Sequence, residues 1–366
     1  MPEPLRLVQV GAGGMGRTWL RALAANPDVR LVGLVDLDAD AARRAADEEG
    51  HPGVAVATSV DALSTRDEAE ALVNVTVPVA HHAVTTAALR GGLPVLSEKP
   101  LAETVSEGLS MVAASEVADR LLMVSQSRRY WRHLSAFRRQ VAQLGTVGSV
   151  ACEFFRGPHF GGFREEMEHP LLVDMAIHQF DLARDLVGAE PVSVHCDSYN
   201  PAWSWFAGDA AADVVFEFEG GVRFSFAGSW CAPGLETSWN GRWRVSASGG
   251  SAVWDGDGEP VAETADGTPV PAEVRDEPEQ IAGSLAEFVA VLRDGSVPSG
   301  EVHANVLSLA MVEAATTSAA AGRRVSIAEV LDAAYATALA DERDEAVRAR
   351  LGGWPSVHEV VGHRPR

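Results

Sequence analysis

Lys99 is the only lysine in a chain of 366 residues that carries 30 lysine and arginine side chains. Every other basic position is an arginine, whose guanidinium stays charged and presents a planar fork. Lysine alone offers a compact ammonium that can serve one reacting atom. Glu98 precedes it and Pro100 follows it, and a residue before proline is kept out of helical geometry. The apolar run 93–96 reads as a short buried strand, so Lys99 is expected at a strand end, where open α/β sheets hold their ligands.

A second reactive set, Asp174, His178, Asp181 and Asp185, falls within residues 172–187, which read as one helix. On a regular helix Asp174 and His178 stand about 40° apart and their side chains can meet. An imidazole oriented by a carboxylate is a general-base arrangement. The rest of that helix is apolar, so it should be buried, with its acid–histidine stripe facing a polar cleft or another subunit's polar surface. His178 with Asp174 offers two metal ligands, but no third histidine or cysteine sits at ligand spacing, and no metal is expected.

The third set opens the chain. A strand over 5–10 runs into Gly11-Ala12-Gly13-Gly14-Met15-Gly16, then a helix over 17–25, a strand over 29–35 and Asp36. Gly11 permits the tight turn, Gly13 lets backbone approach a pyrophosphate, and Gly16 lets helix and strand pack closely. Unpaired N–H groups at the helix start favour an anion, with Gly14 and Met15 in that turn. Asp36 lies about 20 residues beyond the last glycine, the place of an acid that binds a ribose 2′-hydroxyl. An acid there repels a 2′-phosphate, so NAD is expected over NADP.

Strands and helices keep alternating to about residue 125. A helix is expected over 39–49, a strand over 71–77 ending at Pro78 with His81 and His82 in the loop beyond, and a helix over 84–90. The fold class predicted is therefore α/β, with an N-terminal Rossmann dinucleotide-binding domain over 1–125. Later segments alternate at period two, as in Val214 to Phe218 and Val222 to Phe226, and are flanked by helices. These predict an α+β domain over 126–345 with a mostly antiparallel open sheet. Late helices are expected over 281–293, 303–321 and 327–350, and residues 352–366 as an extended arm within a tail, 346–366.

A hydrophobic content of 46% and a charged content of 22% suit a globular protein with a sizeable core. The net charge of −21 argues against a nucleic-acid partner; it serves solubility alone or attracts a cationic substrate such as an amino sugar, and charge by itself does not decide between the two. No apolar run reaches the ~20 residues of a membrane span, and the N-terminus enters a strand without an apolar leader. Cys152, Cys196 and Cys231 are far apart, as expected of reduced cytoplasmic thiols.

Gly11-x-Gly13-x-x-Gly16, Pro78 with His82 four residues on, Glu98-Lys99-Pro100 and Asp174-x-x-x-His178-x-x-Asp181 together resemble the glucose–fructose oxidoreductase/inositol dehydrogenase (Gfo/Idh/MocA) family over residues 5–345. The resemblance implies NAD-dependent hydride transfer from a secondary ring hydroxyl of a sugar or cyclitol. Carried over, His178 takes the hydroxyl proton, Asp174 orients that imidazole, and Lys99 hydrogen-bonds the reacting oxygen. Gly11, Gly13, Gly14, Met15, Gly16, Asp36, Pro78, His82, Glu98 and Lys99 would hold the cofactor. The site would lie between the domains, and second-domain sheets would pack face to face in a homodimer or homotetramer.

Trp19 departs from the family pattern, where histidine is common, and is expected to alter packing near the cofactor rather than chemistry. Candidate substrates are an inositol, a glycoside oxidised at ring position 3, or an amino sugar. Tyr130, Trp131, His159, Phe160 and the tryptophans 203, 205, 230 and 239 are candidate sugar platforms. Two other readings of the same motifs are a glycoside-cleaving enzyme that oxidises its substrate transiently with bound NAD, and a non-catalytic NAD-binding sensor.

Overall fold

The computed structural model of the chain describes residues 3–63 and 68–362. Contacts divide them into two compact units, one of residues up to Ser127 with Gln280–Val306 and those from Ala334 onward, the other of Arg128–Glu279 with Leu307–Ala333. The first unit is built on β1 (Leu5–Val10), α1 (Gly14–Ala25), β2 (Val29–Val35), α2 (Ala39–Glu48), β3 (Ala55–Ala57), β4 (Ala71–Asn74), α3 (Pro78–Arg90), β5 (Val95–Glu98), α4 (Val105–Ala118) and β6 (Leu122–Ser125). The six strands form one parallel sheet in the order β3-β2-β1-β4-β5-β6. β4, β5 and β6 are buried along their whole length, which is what a parallel sheet covered on both faces requires.

Three local boundaries differ from the sequence expectation. β4 stops at Asn74 instead of running to Val77, because Asn74 turns the chain by accepting from the Thr76 N–H and hydroxyl. Helix α3 begins at Pro78, not at Val84, since proline at the first helical position has no N–H to leave unpaired. β5 is displaced to Val95–Glu98, which puts the acid of Glu98-Lys99-Pro100 inside the strand.

The second unit holds α5 (Arg132–Ala142), β7 (Val147–Phe155), α6 (Ile177–Val187), β8 (Pro191–Tyr199), β9 (Ala211–Phe218), β10 (Arg223–Ser229), β11 (Arg242–Ala247), β12 (Gly250–Trp254), β13 (Val261–Thr264) and β14 (Pro269–Val270). With β15 (Val325–Ser326) they form a nine-stranded sheet, β14-β13-β12-β11-β7-β10-β9-β8-β15. Only the β7–β10 pair is parallel. Alternation sets its two faces: in β10 Phe224 and Phe226 are buried while Arg223 and Ser225 are exposed. Phe180 of α6 packs on the buried face, 4.8 Å from Phe216 and 5.6 Å from Phe226, ring centroid to centroid.

The remaining elements are α7 (Gln280–Asp294), α8 (Val302–Ala321), α9 (Ile327–Asp341), α10 (Glu345–Gly352) and α11 (Val357–Val360). Two expectations for this stretch need correction. The helix expected over 327–350 is two helices, because Asp344 caps a new start by accepting from the N–H groups of Ala346 and Val347. The expected arm is folded as far as residue 362, with Trp354 and Val357 buried, and Pro365 lies outside the described residues. Sequence order also placed 280–306 with the second domain, whereas their contacts, and those of everything from 334 on, fall with the first unit. Amphipathic periodicity shows that a helix has a buried face, not whose core that face joins. Among the described residues no helix is long and apolar enough to cross a membrane.

A charge cluster ties these late segments to α4. Glu116 accepts from His303 Nε2 at 3.3 Å, Arg350 Nε at 2.9 Å and Trp354 Nε1 at 2.8 Å. His303 Nδ1 lies 2.6 Å from Glu301 Oε1, so both imidazole nitrogens face carboxylates. Burial alone would push the Glu116 carboxyl up, but those three donors hold it well below the usual range, at about 2. Burial likewise works against charge on His303, yet the two carboxylates raise it to about 9. The His303 contribution is complete below the ordinary imidazole value of about 6.5 and is lost as pH rises through the folded value. The Glu116 contribution is complete above the ordinary carboxylate value of roughly 4.3 and is lost as pH falls. The cluster therefore stabilises most between these limits. Unfolding midpoints measured against pH should fall for the wild type between about pH 6.5 and 9, and His303→Gln should flatten that fall. Parallel curves for the two proteins would show that the imidazolium contributes nothing.

Candidate active site

β1 delivers the glycine turn to the carboxyl edge of the parallel sheet. Gly11 has φ 102°, and a Cβ there would come within 2.4 Å of the Val75 carbonyl oxygen, so only glycine fits. A Cβ on Gly16 would meet the Gly11 carbonyl oxygen at 2.4 Å, which lets α1 pack tightly on the turn. Buried Gln9 braces the turn from within, donating to the carbonyls of Gly11 at 2.7 Å and Gly16 at 3.0 Å. Around Gly13 the opposite holds: a Cβ would meet nothing within 4 Å, and no side chain caps the helix start. The first N–H groups of α1 thus face an open cradle of the kind a pyrophosphate occupies.

Asp36, just past β2, accepts from the Ala12 N–H at 2.7 Å with one oxygen and from the Asp38 N–H at 3.0 Å with the other. It therefore fixes the glycine turn, and a carboxylate with about four lone-pair positions keeps capacity for a further donor. Exposed apolar side chains follow the strand ends around it: Met15 is 50% exposed, Leu37 92%, Val77 58% and Val79 66%. An anion cradle walled by apolar surface fits a dinucleotide. Leu37, Val77 and Val79 were not singled out from sequence, although each lies within five residues past a buried strand.

At the end of β5 the Glu98 carboxylate is almost wholly buried. One oxygen accepts from the indole Nε1 of Trp19 at 2.8 Å, and the other from the backbone N–H of Lys99 at 3.1 Å. Burial raises the Glu98 pKa, while the Trp19 hydrogen bond and the Lys99 charge oppose the rise. Trp19 thus does more than fill space: it holds the acid that holds the Lys99 backbone. The Lys99–Pro100 peptide is cis. The Pro100 carbonyl lies 2.6 Å from His81 Nδ1, and His81 Nε2 is 3.1 Å from the Thr76 carbonyl. Burial pushes the His81 pKa down, with the two backbone hydrogen bonds opposing. Both histidines ride on α3 rather than on a loop. The His82 ring contacts Ser110 of α4 at 3.4 Å, so His81 is the one brought to the Lys99–Pro100 turn.

In the second unit the helix expected over 172–187 is interrupted. Leu171–Ala176 is a π-turn that leads into α6, so Asp174 lies in the wide turn and His178 in the α-helix. Such turns recur at functional sites, and they change the side-chain offset that regular helical geometry predicts. The acid stripe does not face open solvent. Asp174 accepts from Arg164 Nε at 2.6 Å, Asp181 from Arg129 Nε and Nη2 at 2.7 Å each, and Asp185 from Arg138 Nη1 at 2.7 Å. Asp181 is 1% exposed and also accepts from Ser308 at 2.6 Å, which makes it an internal anchor of α6. His178 is 7% exposed. No sequence pattern announces Arg164 or Arg129, since their partners are 10 and 52 residues away.

The aromatic candidates separate into core and surface. Trp230 is buried, whereas Trp203 and Phe160 are exposed. His159 stacks on Trp205 at 3.8 Å, and the Arg156 guanidinium lies 4.4 Å over Trp239.

Two substitutions probe the first unit. Trp19→Phe leaves a buried carboxylate oxygen without its donor and should lower the unfolding free energy by about 1–3 kcal/mol; an unchanged denaturant midpoint would show that the indole hydrogen bond is unimportant. Asp36→Asn should weaken NAD binding and narrow the discrimination against NADP, read by titrating both cofactors.

Residues 5–126 match the family described as "Oxidoreductase family, NAD-binding Rossmann fold", and residues 138–253 match the "GFO/IDH/MocA C-terminal domain". An inositol 2-dehydrogenase of Rhizobium meliloti is 28% identical over 88% of this chain and 99% of its own. Among solved structures, an oxidoreductase from Agrobacterium radiobacter in complex with NAD+, L-tartaric acid and magnesium aligns with a TM-score of 0.82 at 21% identity, covering 90% of this chain and all of the other. GenD2 from gentamicin A biosynthesis, in complex with NAD, aligns with a TM-score of 0.73 at 25% identity, covering 89% and 97%. Residues 5–126, which carry the glycine cradle, form an NAD-binding Rossmann domain, and the chain belongs to the GFO/IDH/MocA family of NAD-dependent oxidoreductases that act on CH–OH groups.

Proposed function

We propose that the protein oxidises a secondary ring hydroxyl of a sugar, cyclitol or amino-sugar glycoside. The observation that carries this reading is the sole lysine, placed at the end of β5 beside the dinucleotide cradle with its backbone held by buried Glu98. NAD, when bound, supplies the hydride acceptor. The imidazole of His178 takes the hydroxyl proton, and Asp174 orients it. The Lys99 ammonium donates to the reacting oxygen and stabilises its developing negative charge. The backbone of Gly11, Gly13, Gly14, Met15 and Gly16 receives the pyrophosphate, Asp36 the ribose, and Pro78 with Glu98 frames the nicotinamide end.

An inositol is supported as substrate by the likeness to the Rhizobium inositol 2-dehydrogenase. The net charge of −21 favours a cationic amino sugar among the three classes. The alternating exposed face of the nine-stranded sheet suits a homodimer or homotetramer, and three buried free cysteines suit a reducing cytoplasm.

Absorbance of NADH on mixing protein and NAD with inositols, simple glucosides and aminoglycosides tests the reaction. Turnover confined to one group identifies the substrate class. Silence across the panel with NAD bound would shift the reading to glycoside cleavage by a retained cofactor or to a substrate outside the three groups. Lys99→Arg should keep NAD affinity and lose on the order of a hundredfold or more in turnover. Wild-type turnover in that variant would remove Lys99 from the chemistry.

A further inference from the structure

Between β7 and the π-turn the chain makes a loop whose short 3-10 turn, Gly162–Glu166, opens on Gly161 and Gly162, with φ 67° and 70°. The loop is tied down on both sides of Arg164. Glu165 accepts the Gly161 N–H at 2.9 Å with its side chain and the Ala207 N–H at 2.8 Å with its carbonyl, and the Glu168 carbonyl accepts the Asp209 N–H at 2.7 Å. From this turn Arg164 reaches Asp174 through Nε alone, at 2.6 Å. Its guanidinium carbon lies 4.7 Å from the centre of the Phe163 ring and 5.6 Å from that of Phe160. Both rings are more than half exposed, at 59% and 53%. Among the described residues Nη1 and Nη2 of Arg164 have no hydrogen-bond partner.

This arginine differs from Arg129, which is buried and grips both oxygens of Asp181. In Arg164 only one of five donors is engaged; the other four point away in the plane of the fork. The two part-exposed phenyl rings lie beside the guanidinium. A half-exposed ion pair stabilises a fold little, so stability does not account for the arrangement.

We propose that Arg164 is a substrate-recognising residue, its Nη edge binding two adjacent hydroxyls of the ring substrate while Phe160 and Phe163 take a C–H face of the ring. A neutral diol fits this edge better than a carboxylate, because Asp174 already balances the guanidinium charge and would repel a second anion. The assignment rests on the reading of the protein as a dehydrogenase of ring polyols.

The test pairs a change in the enzyme with a change in the substrate. KM and kcat are measured by NADH formation for wild type, Arg164→Met and Arg164→Lys, on the ring polyol turned over and on its analogues lacking one hydroxyl vicinal to the reacting carbon. Arg164→Met should raise KM for the intact polyol roughly tenfold or more, and change it little for the analogue missing the recognised hydroxyl. Arg164→Lys, which retains a charge for Asp174 but not the fork, should show the same asymmetry in smaller measure, and it keeps the test readable if the Met variant does not fold. Equal losses on all substrates, or a loss in kcat alone, would mean that Arg164 acts only through Asp174 and would overturn the proposal. A wild type that oxidises no ring polyol would sink the dehydrogenase reading and this assignment with it.

Discussion

A carboxylate removed from water must be met by donors, or it loses its charge or its place. That constraint organises both units. Glu98 is held by the Trp19 indole and the Lys99 backbone N–H, Asp181 by both arms of Arg129 and by Ser308, and Glu116 by an imidazole, a guanidinium and an indole. In each case at least one partner comes from a distant part of the chain, so the pairing fixes elements against one another. Burying these acids is costly, and removing the arginine of the buried Arg129–Asp181 ion pair would cost about 3–5 kcal/mol. Their main effect is to specify a single arrangement.

A chain with arginine at every basic position but one is suited to this task, because the planar fork can satisfy two oxygens at once. The acids along residues 174–185 show the consequence. What reads in sequence as a stripe of reactive groups is, in the folded chain, three carboxylates each answered by an arginine. Two of these pairs anchor α6. The third joins Asp174 to a loop that presents exposed phenyl rings.

The two sets of reactive groups are supported differently. Lys99 follows a fully buried strand and is braced by Glu98 from one side and by His81, through the Pro100 carbonyl, from the other. Asp174 lies in a π-turn, where the regular ladder of a helix is opened and the side-chain directions are reset. Under the function proposed above, the bracing of Lys99 gives it a fixed backbone from which to meet charge developing at one atom. From its π-turn Asp174 meets the loop arginine Arg164.

Period, glycine spacing and residue type already determined the parallel βα alternation, the cradle at Gly11 to Gly16, the acid after β2, the mostly antiparallel second sheet, and Lys99 at a strand end. These are short-range properties: backbone sterics, the period of buried faces and the chemistry of neighbouring residues act within about ten positions. Tertiary structure alone decided that Trp19 donates to Glu98, that His81 rather than His82 reaches the Lys99–Pro100 turn, that Arg164 meets Asp174, and that residues 280–306 and those beyond 334 fold with the N-terminal unit. It also opened the helix at Leu171–Ala176 and folded the expected arm around Trp354. Each of these depends on which distant donor meets a buried acceptor, or on which core an apolar face joins, and a linear pattern carries no record of either.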